Sequence, residues 1–157
     1  MTVGSAEIRA ATPEDVENVL DGYEWLFAPP GSRPPGWDRS AAEARLLIAI
    51  GSEAATVLVA HVGERIVGIC TAYIDLLSVR YGVRCWVEDL ATDPDFRSAG
   101  IGRELLAGAR DWAVAHGASH LELDSGEARL DAHRFYEREG ATRRSICFGW
   151  DPLEKGR

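Results

Sequence analysis

The chain has 157 residues, of which 46% are hydrophobic and 27% charged, with a formal net charge of -8. This composition is that of a folded globular protein, and the acidic balance argues against a nucleic-acid partner, because neutralising phosphates needs a basic surface. No apolar run approaches the roughly 20 residues of a membrane-spanning helix, and the first residues lack a signal-peptide pattern, so we expect no membrane partner.

The first half of the chain alternates helix and strand signals. Glu7–Ala10 is predicted to be a short strand, and Thr12 then caps a helix whose apolar residues continue at helical spacing to Phe27. Residues 28–36 contain four prolines and predict a loop. Ser40 to Glu43 has the pattern of a capping box, which predicts a second helix ending near Gly51.

Strands dominate the middle of the chain. Ala55–His61 and Ile66–Leu77 are β-branched runs on either side of a Gly-Glu turn, which predicts a hairpin. Val83–Thr92 is the next predicted strand. A long amphipathic helix from Ile101 follows and ends near Gly117.

The last elements are predicted as a strand at Leu121–Asp124, a helix at Leu130–Glu139 and a final strand at Ser145–Trp150. A strand–helix–strand passage around the long helix implies a parallel pair of strands. The expected fold is therefore α/β (α+β): a mixed, mostly antiparallel twisted sheet with helices on both faces, in a single domain over residues 1–157.

The three cysteines, Cys70, Cys85 and Cys147, are widely spaced, each in an apolar or strand-like stretch. Because no Cys-x-x-Cys or Cys-x-x-His pair occurs, the pattern favours buried, reduced thiols over a zinc site or a disulfide framework. Reduced thiols are typical of a reducing compartment, and we expect a cytoplasmic protein that binds no metal.

The strongest local signal is a glycine-rich connection between a strand and the long helix. Glycine removes the Cβ atoms that would keep a phosphate away from the backbone, and a helix N-terminus attracts anions. An ordinary tight connection has the same composition, so the pattern alone is weak. The residues of this predicted phosphate loop are Arg97, Ser98, Ala99, Gly100, Ile101, Gly102 and Arg103.

Two longer segments carry a resemblance to a known family. Val87–Leu106, which contains the loop, resembles motif A of the GNAT superfamily of acyltransferases, and Ala132–Ala141 resembles its motif B. Two positions depart from the family pattern. Arg129 stands where many members have an asparagine that bonds the pantetheine arm, and Ala141 stands where phenylalanine is usual.

The resemblance implies an N-acetyltransferase that takes its acyl group from acetyl-CoA. It also implies that the motif A strand and the Leu121 strand diverge, with acetyl-CoA lying in the gap and its pyrophosphate on the loop amides. The implied cofactor contacts are the backbone of Leu90, Ala91 and Thr92, the loop from Arg97 to Arg103, and the side chains of Arg129 and His133.

Catalysis of this transfer needs a base for the amine and an acid for the thiolate. The resemblance implies Tyr136 as the acid; the alternative is that it packs beside Phe135. Glu88 is the candidate base, because on a regular strand it shares a face with Leu90 and would be partly buried beside Trp86. It could act directly or through water, bind the ammonium group, or pair with an arginine.

Two other carboxylates rank below Glu88 as bases. Asp89 is expected to alternate to the opposite face of the strand. Asp124, at the end of its strand, is a reserve. Aromatic and acidic residues before and within the hairpin would suit an organic cation, although ordinary packing explains them equally well. The candidate acceptor-binding residues are Trp25, Phe27, Trp37, Tyr73, Asp75 and Asp124.

The favoured hypothesis is an N-acetyltransferase that acts on a small primary amine. The alternatives are a protein N-terminal or lysine acetyltransferase and a non-catalytic acyl-CoA-binding sensor. A homodimer is a further expectation, since an edge strand often needs a partner.

Overall fold

The computed structural model describes residues 5–75, 77–151 and 153. None of the helices among them is long and apolar enough to cross a lipid bilayer. The residues group into two units, one ending at Leu123 and the other beginning at Asp124. The first unit contains β1 (Glu7–Ala10), α1 (Val16–Phe27), α2 (Arg39–Ile50), β2 (Ala55–Val62), β3 (Arg65–Ile74), β4 (Arg84–Thr92), α3 (Ile101–Ala115) and β5 (His120–Glu122).

The five strands form one sheet in the order β1-β2-β3-β4-β5. The strands from β1 to β4 are antiparallel to their neighbours. In contrast, β5 runs parallel to β4, because α3 carries the chain back to the starting edge of the sheet. The mixed, mostly antiparallel sheet that the sequence predicted is confirmed.

Helices cover both faces of this sheet. On one face, α1 and α2 enclose a buried cluster that includes Leu20, Val59 and Ile69. Because neighbouring strand residues point to opposite faces, Gly68 points to the other side, where α3 packs. A Cβ atom at Gly68 would lie 2.7 Å from Cγ2 of Ile101. The missing side chain therefore lets the first turn of α3 lie close against the sheet.

The start of α2 differs from its prediction. The helix begins at Arg39, and its cap is Asp38, whose carboxylate accepts the N–H of Ala41 at 2.7 Å. The predicted capping box from Ser40 to Glu43 is thus wrong by two residues. An aspartate caps a helix as well as a serine does, and it also places negative charge at the helix N-terminus. Asp38 is therefore the cap instead of Ser40.

Two predicted strand segments are also wrong. β3 ends at Ile74 instead of Leu77, which is 71% exposed; residue 76 lies outside the described residues. The segment 145–150 forms no ladder with any described residue, and Trp150 within it is 77% exposed. β-branched and aromatic residues only suit a strand, whereas the strand itself needs a pairing partner.

The cysteine prediction holds for two of the three thiols. Cys70 and Cys85 are free and buried, and burial raises the pKa of Cys85 to about 11 and that of Cys70 to about 12. Both thiols are therefore neutral at pH 7. Cys147 is exposed, which contradicts the prediction that it is buried, because it lies in the segment without strand pairing.

The N-terminal end of α1 is held by an ion pair, from which a pH-dependent stability follows. Arg9 donates to both carboxylate oxygens of Asp15, at 2.7 and 2.9 Å, and the N–H of Thr12 donates to the same group at 2.8 Å. These bonds, chiefly those from Arg9, lower the pKa of Asp15 to about 2. The stabilisation is thus complete above the unfolded pKa near 4 and is lost as the pH falls towards 2.

We expect Asp15→Asn to lower the free energy of unfolding by about 1 to 2 kcal/mol at pH 7, after allowance for the exposure of Arg9. The difference from the unsubstituted protein should shrink as the pH approaches 2 in denaturant titrations. Asp21→Asn is the matched control, because Asp21 pairs with Arg39 at 2.9 Å on the open surface, where solvent screens the pair, and it should cost much less than Asp15→Asn. Equal losses for both variants would contradict the prediction.

The second unit contains one helix, α4 (Leu130–Arg138), which ends at Gly140 with a positive φ of 90°. The turn that precedes α4 is closed by the ring of His133. The Nε2 atom of this ring lies 2.9 Å from the carbonyl oxygen of Gly126. Arg134 pairs with Asp131 on the exposed side of the helix. The predicted helix is confirmed to within one residue.

Candidate active site

A bulge in β4 shapes the site. In the pairing with β3, Asp89 lies opposite Thr71 and Val87 lies opposite Ala72, so Glu88 has no partner in the ladder. An extra residue of this kind interrupts the alternation of side chains. Glu88 and Asp89 therefore both line one cavity, and the prediction that Asp89 points to the opposite face is wrong.

The cavity lies between the sheet and the two helices α1 and α2 and has a volume of about 360 Å³. It combines aromatic and aliphatic walls with two carboxylates and one arginine. Its lining residues are Leu20, Tyr23, Trp37, Ala42, Arg45, Leu46, Ala49, Ala55, Thr56, Thr71, Ala72, Tyr73, Glu88 and Asp89.

Asp89 is held in place by two hydroxyl groups. Its Oδ2 accepts the hydroxyl of Tyr23 at 2.7 Å and that of Thr71 at 2.5 Å. Burial raises the pKa of Tyr23, and the negative charge of Asp89 raises it further, so Tyr23 remains a hydrogen-bond donor at all physiological pH values. This network joins α1 to β3 and β4 at the cavity.

Glu88 has a more open environment than the sequence predicted. Its side chain is exposed instead of partly buried, because the bulge turns it out of the ladder towards the cavity mouth. The indole N–H of Trp86 donates to its carboxylate at 2.8 Å. Burial, followed by the charge of Glu88, raises the pKa of Tyr73. The nearby Arg84 of the same strand pairs with Asp75 and Glu122, each at 3.4 Å.

The predicted acceptor residues fall into two groups. Trp37 and Tyr73 line the cavity. Phe27 lies just behind, with its ring centroid 4.8 Å from that of Trp37. Trp25 instead packs against the buried cluster, and Asp75 forms the ion pair with Arg84 noted above. Neither of these two side chains lines the cavity, because α1 turns Trp25 to the core and β3 ends before Asp75.

Two residues of the predicted phosphate loop have a left-handed backbone conformation. Gly100 precedes α3 with a φ of 81°, and Ser98 has a φ of 64°. A left-handed conformation costs a non-glycine residue about 1 kcal/mol or more, and such positions cluster at binding sites. The first amides of a helix lack carbonyl partners within it, so those of Ile101 and Gly102 point out of the N-terminus. Arg97 and Arg103 are exposed beside them.

The C-terminal part of β4 is not paired with β5. The parallel ladder joins only Arg84, Cys85 and Trp86 to β5, whereas β4 continues to Thr92. The parallel ladder therefore ends with β5 itself, and the divergence that the family resemblance implies stays a prediction. Among the described residues, no strand pairs with β4 on this side at Leu90, Ala91 and Thr92, the residues predicted to bond the pantetheine arm.

Four predicted site residues belong to the second unit. Tyr136 is half-buried, with its ring centroid 5.3 Å from that of Phe135. His133 bonds the carbonyl of Gly126, as described above. The hydrogen bond to Asp124, followed by its charge, raises the pKa of the Cys147 thiol. Arg129 directly precedes α4.

Sequence reasoning missed three residues of the cavity. Tyr23 was read only as part of the apolar face of α1, and Thr71 only as a strand residue. Arg45 lies among the apolar residues of α2, and no sequence pattern assigned it a role. A hydroxyl on the core face of a helix is a usable signal, because a buried hydroxyl needs a partner.

Comparisons with known proteins agree with this geometry. The family model for the acetyltransferase (GNAT) family matches residues 19–141. YhdJ, an uncharacterized N-acetyltransferase of Bacillus subtilis, is 35% identical over 105 residues, which are 66% of this chain and 73% of that protein. The aminoalkylphosphonate N-acetyltransferase of Salmonella typhimurium is 44% identical over 54 residues, or 34% of this chain and 35% of its own.

Solved structures show the same fold. The aminoglycoside N-acetyltransferase AAC(6')-Iy, in complex with CoA, superposes with a TM-score of 0.79 at 18% identity, over 93% of this chain and 95% of that one. The family match extends over most of the sheet, the loop and both motifs. The chain therefore belongs to the GNAT family of acetyltransferases.

Proposed function

We propose that this N-acetyltransferase transfers the acetyl group of acetyl-CoA to a small primary amine, with Glu88 as the base and Tyr136 as the acid. Family membership makes the protein an acetyl-CoA-dependent acyltransferase. The amine class and the two residue roles are the proposal. It also includes the single domain over residues 1–157, the cytoplasmic location and the homodimer, which remain predictions.

The observation that carries the proposal is the cavity beside the bulge. Its volume of about 360 Å³ suits a small molecule. The exposed carboxylate of Glu88 at its mouth would attract an ammonium group and accept its proton. The rings of Tyr23, Trp37 and Tyr73 would provide the walls that an organic cation favours.

The residues present suit coenzyme A. The left-handed Gly100 and Ser98 expose consecutive amides at the N-terminus of α3, which is a favourable site for a pyrophosphate. Arg97 and Arg103 can add charge-assisted bonds to the same oxygens. The unpaired edge of β4 offers Leu90 and Thr92 to an extended, amide-containing arm. When bound, the thioester supplies the electrophilic carbonyl, and an N–H near Leu90 or Ala91 would stabilise charge on its oxygen.

Two alternatives predict different acceptors. A protein N-terminal or lysine acetyltransferase would need an open groove for a peptide, and the cavity between the sheet and two helices does not favour it. A non-catalytic acyl-CoA sensor would not need the exposed carboxylate of Glu88 beside an acceptor cavity.

Thiol release from acetyl-CoA distinguishes these functions. We expect release with members of a small-amine panel, confirmed by mass spectrometry of the acetylated product. Release only with peptides would support the protein acetyltransferase. Acetyl-CoA binding by calorimetry without release on any acceptor would support the sensor and refute the proposal.

Tyr136→Phe tests the proposed acid. Without the hydroxyl, the departing thiolate has no proton donor, and we expect kcat to fall about tenfold to hundredfold while the Kd for acetyl-CoA changes little. Tyr81→Phe is the matched control, because Tyr81 is 44% exposed in the loop before β4 and does not line the cavity. If Tyr136→Phe turns over as fast as the control, Tyr136 is not the acid.

A further inference from the structure

Arg45 is a cavity residue that has no charge partner among the described residues. It lies on α2, is exposed and lines the cavity beside Ala42 and Leu46. Arg39, on the same helix, pairs with Glu17 and Asp21. The guanidinium of Arg45, in contrast, forms no hydrogen bond or ion pair within residues 5–75, 77–151 and 153.

The strand register separates this cation from the carboxylates. Thr71 in β3 lies opposite Asp89 in β4, and the next residue, Ala72, lies opposite Thr56 in β2. The cavity therefore crosses three adjacent strands, with the carboxylates on β4 at one end. α2, the helix that carries Arg45, contacts β2, which lies two strands away from β4, and Arg45 is therefore assigned to the other end of the cavity. Two strand spacings amount to about 10 Å.

A ligand that fills this cavity meets opposite charges at its two ends. A guanidinium presents a planar fork of donors that matches a carboxylate, phosphonate or phosphate. An acceptor that is only a cation would gain nothing from Arg45 and would be repelled by it. The lining between the two ends, which includes Ala72 and Tyr73, suits a short hydrocarbon chain.

We propose that the acceptor is a zwitterion, in which the primary amine lies at Glu88 and an anionic group about 10 Å away binds Arg45. This inference rests on the proposed function and specifies its substrate class. No covalent step involves Arg45, which is a specificity residue for the distal end of the acceptor.

The test compares ω-amino acids with amino alcohols of the same length, in chains of about six to eight carbons, whose extended ends lie roughly 8 to 10 Å apart. We expect the unsubstituted protein to acetylate the amino acid with a kcat/KM at least about tenfold above that of its alcohol twin, through a lower KM. Arg45→Gln should abolish this preference, and Arg45→Lys should keep part of it.

Arg110→Gln is the matched control. It removes an exposed arginine from α3, on the opposite face of the sheet, and should leave the preference unchanged. Two results overturn the inference and leave the proposed function intact. One is an equal kcat/KM for an amino acid and the amino alcohol of the same length in the unsubstituted protein. The other is an unchanged preference for the amino acid in Arg45→Gln. If no member of either series is acetylated but other amines are, the inference alone fails; if no amine is acetylated, both fail.

Discussion

Gly100→Val is expected to reduce the affinity for acetyl-CoA at least about a hundredfold. Gly100 has a φ of 81°, and a β-branched residue there either holds a strained backbone or turns the first amides of α3 away from the pyrophosphate. The new side chain also enters the open space that a phosphate would occupy, because nothing lies within 4 Å of its Cβ position. Isothermal titration calorimetry measures the loss.

Gly117→Val separates strain from binding. Gly117 follows the same helix at its other end, has a φ of 79° and also has nothing within 4 Å of its Cβ position. Both variants should lose a similar amount of stability, about 1 to 2 kcal/mol. Only Gly100→Val should lose acetyl-CoA. If its affinity matches that of Gly117→Val, the loop is not the pyrophosphate site.

Glu88→Gln should lower kcat/KM for the amine about a hundredfold to a thousandfold, because an amide cannot accept the proton that the ammonium group must lose before the neutral amine attacks. Acetyl-CoA affinity should be unchanged. Since Glu88 is exposed and outside the ladder, we expect unfolding free energy to change by no more than about 0.5 kcal/mol.

Glu64→Gln is the control for lost charge, because Glu64 is an exposed glutamate in the β2–β3 turn. It should behave like the unsubstituted protein. A Glu88→Gln variant with normal kcat but a raised KM for the amine would assign Glu88 to ammonium binding instead of proton transfer. Normal values of both constants would remove it from the site.

Asp89 shows where prediction from the sequence stopped. Strict alternation along β4 sends Asp89 away from Glu88, and it fails because the bulge is a property of the pairing with β3. In the folded chain, Asp89 bonds Tyr23, which lies 66 positions earlier in the sequence. Local patterns carry no information on such distant partners.

Elements defined by local chemistry were predicted well. The cap signal at Thr12 and the glycine before α3 both act within a few residues, and a helical segment follows each of them, although a 3-10 turn over Pro13–Asp15 precedes α1. The segment 145–150 failed for the opposite reason, since its strand required a distant partner. The loop conformation at Gly100 could be anticipated because glycine is the residue that adopts it at no steric cost.

The position of the bulge has a consequence for substitutions at this site. Glu88 is an insertion into a strand whose other residues keep their facing partners, so the ladder and the core would be complete without it. Exchanging the side chain there leaves every buried contact in place. The proposed base therefore lies at a position where a substitution changes the chemistry of the site while the sheet that holds it keeps its pairing.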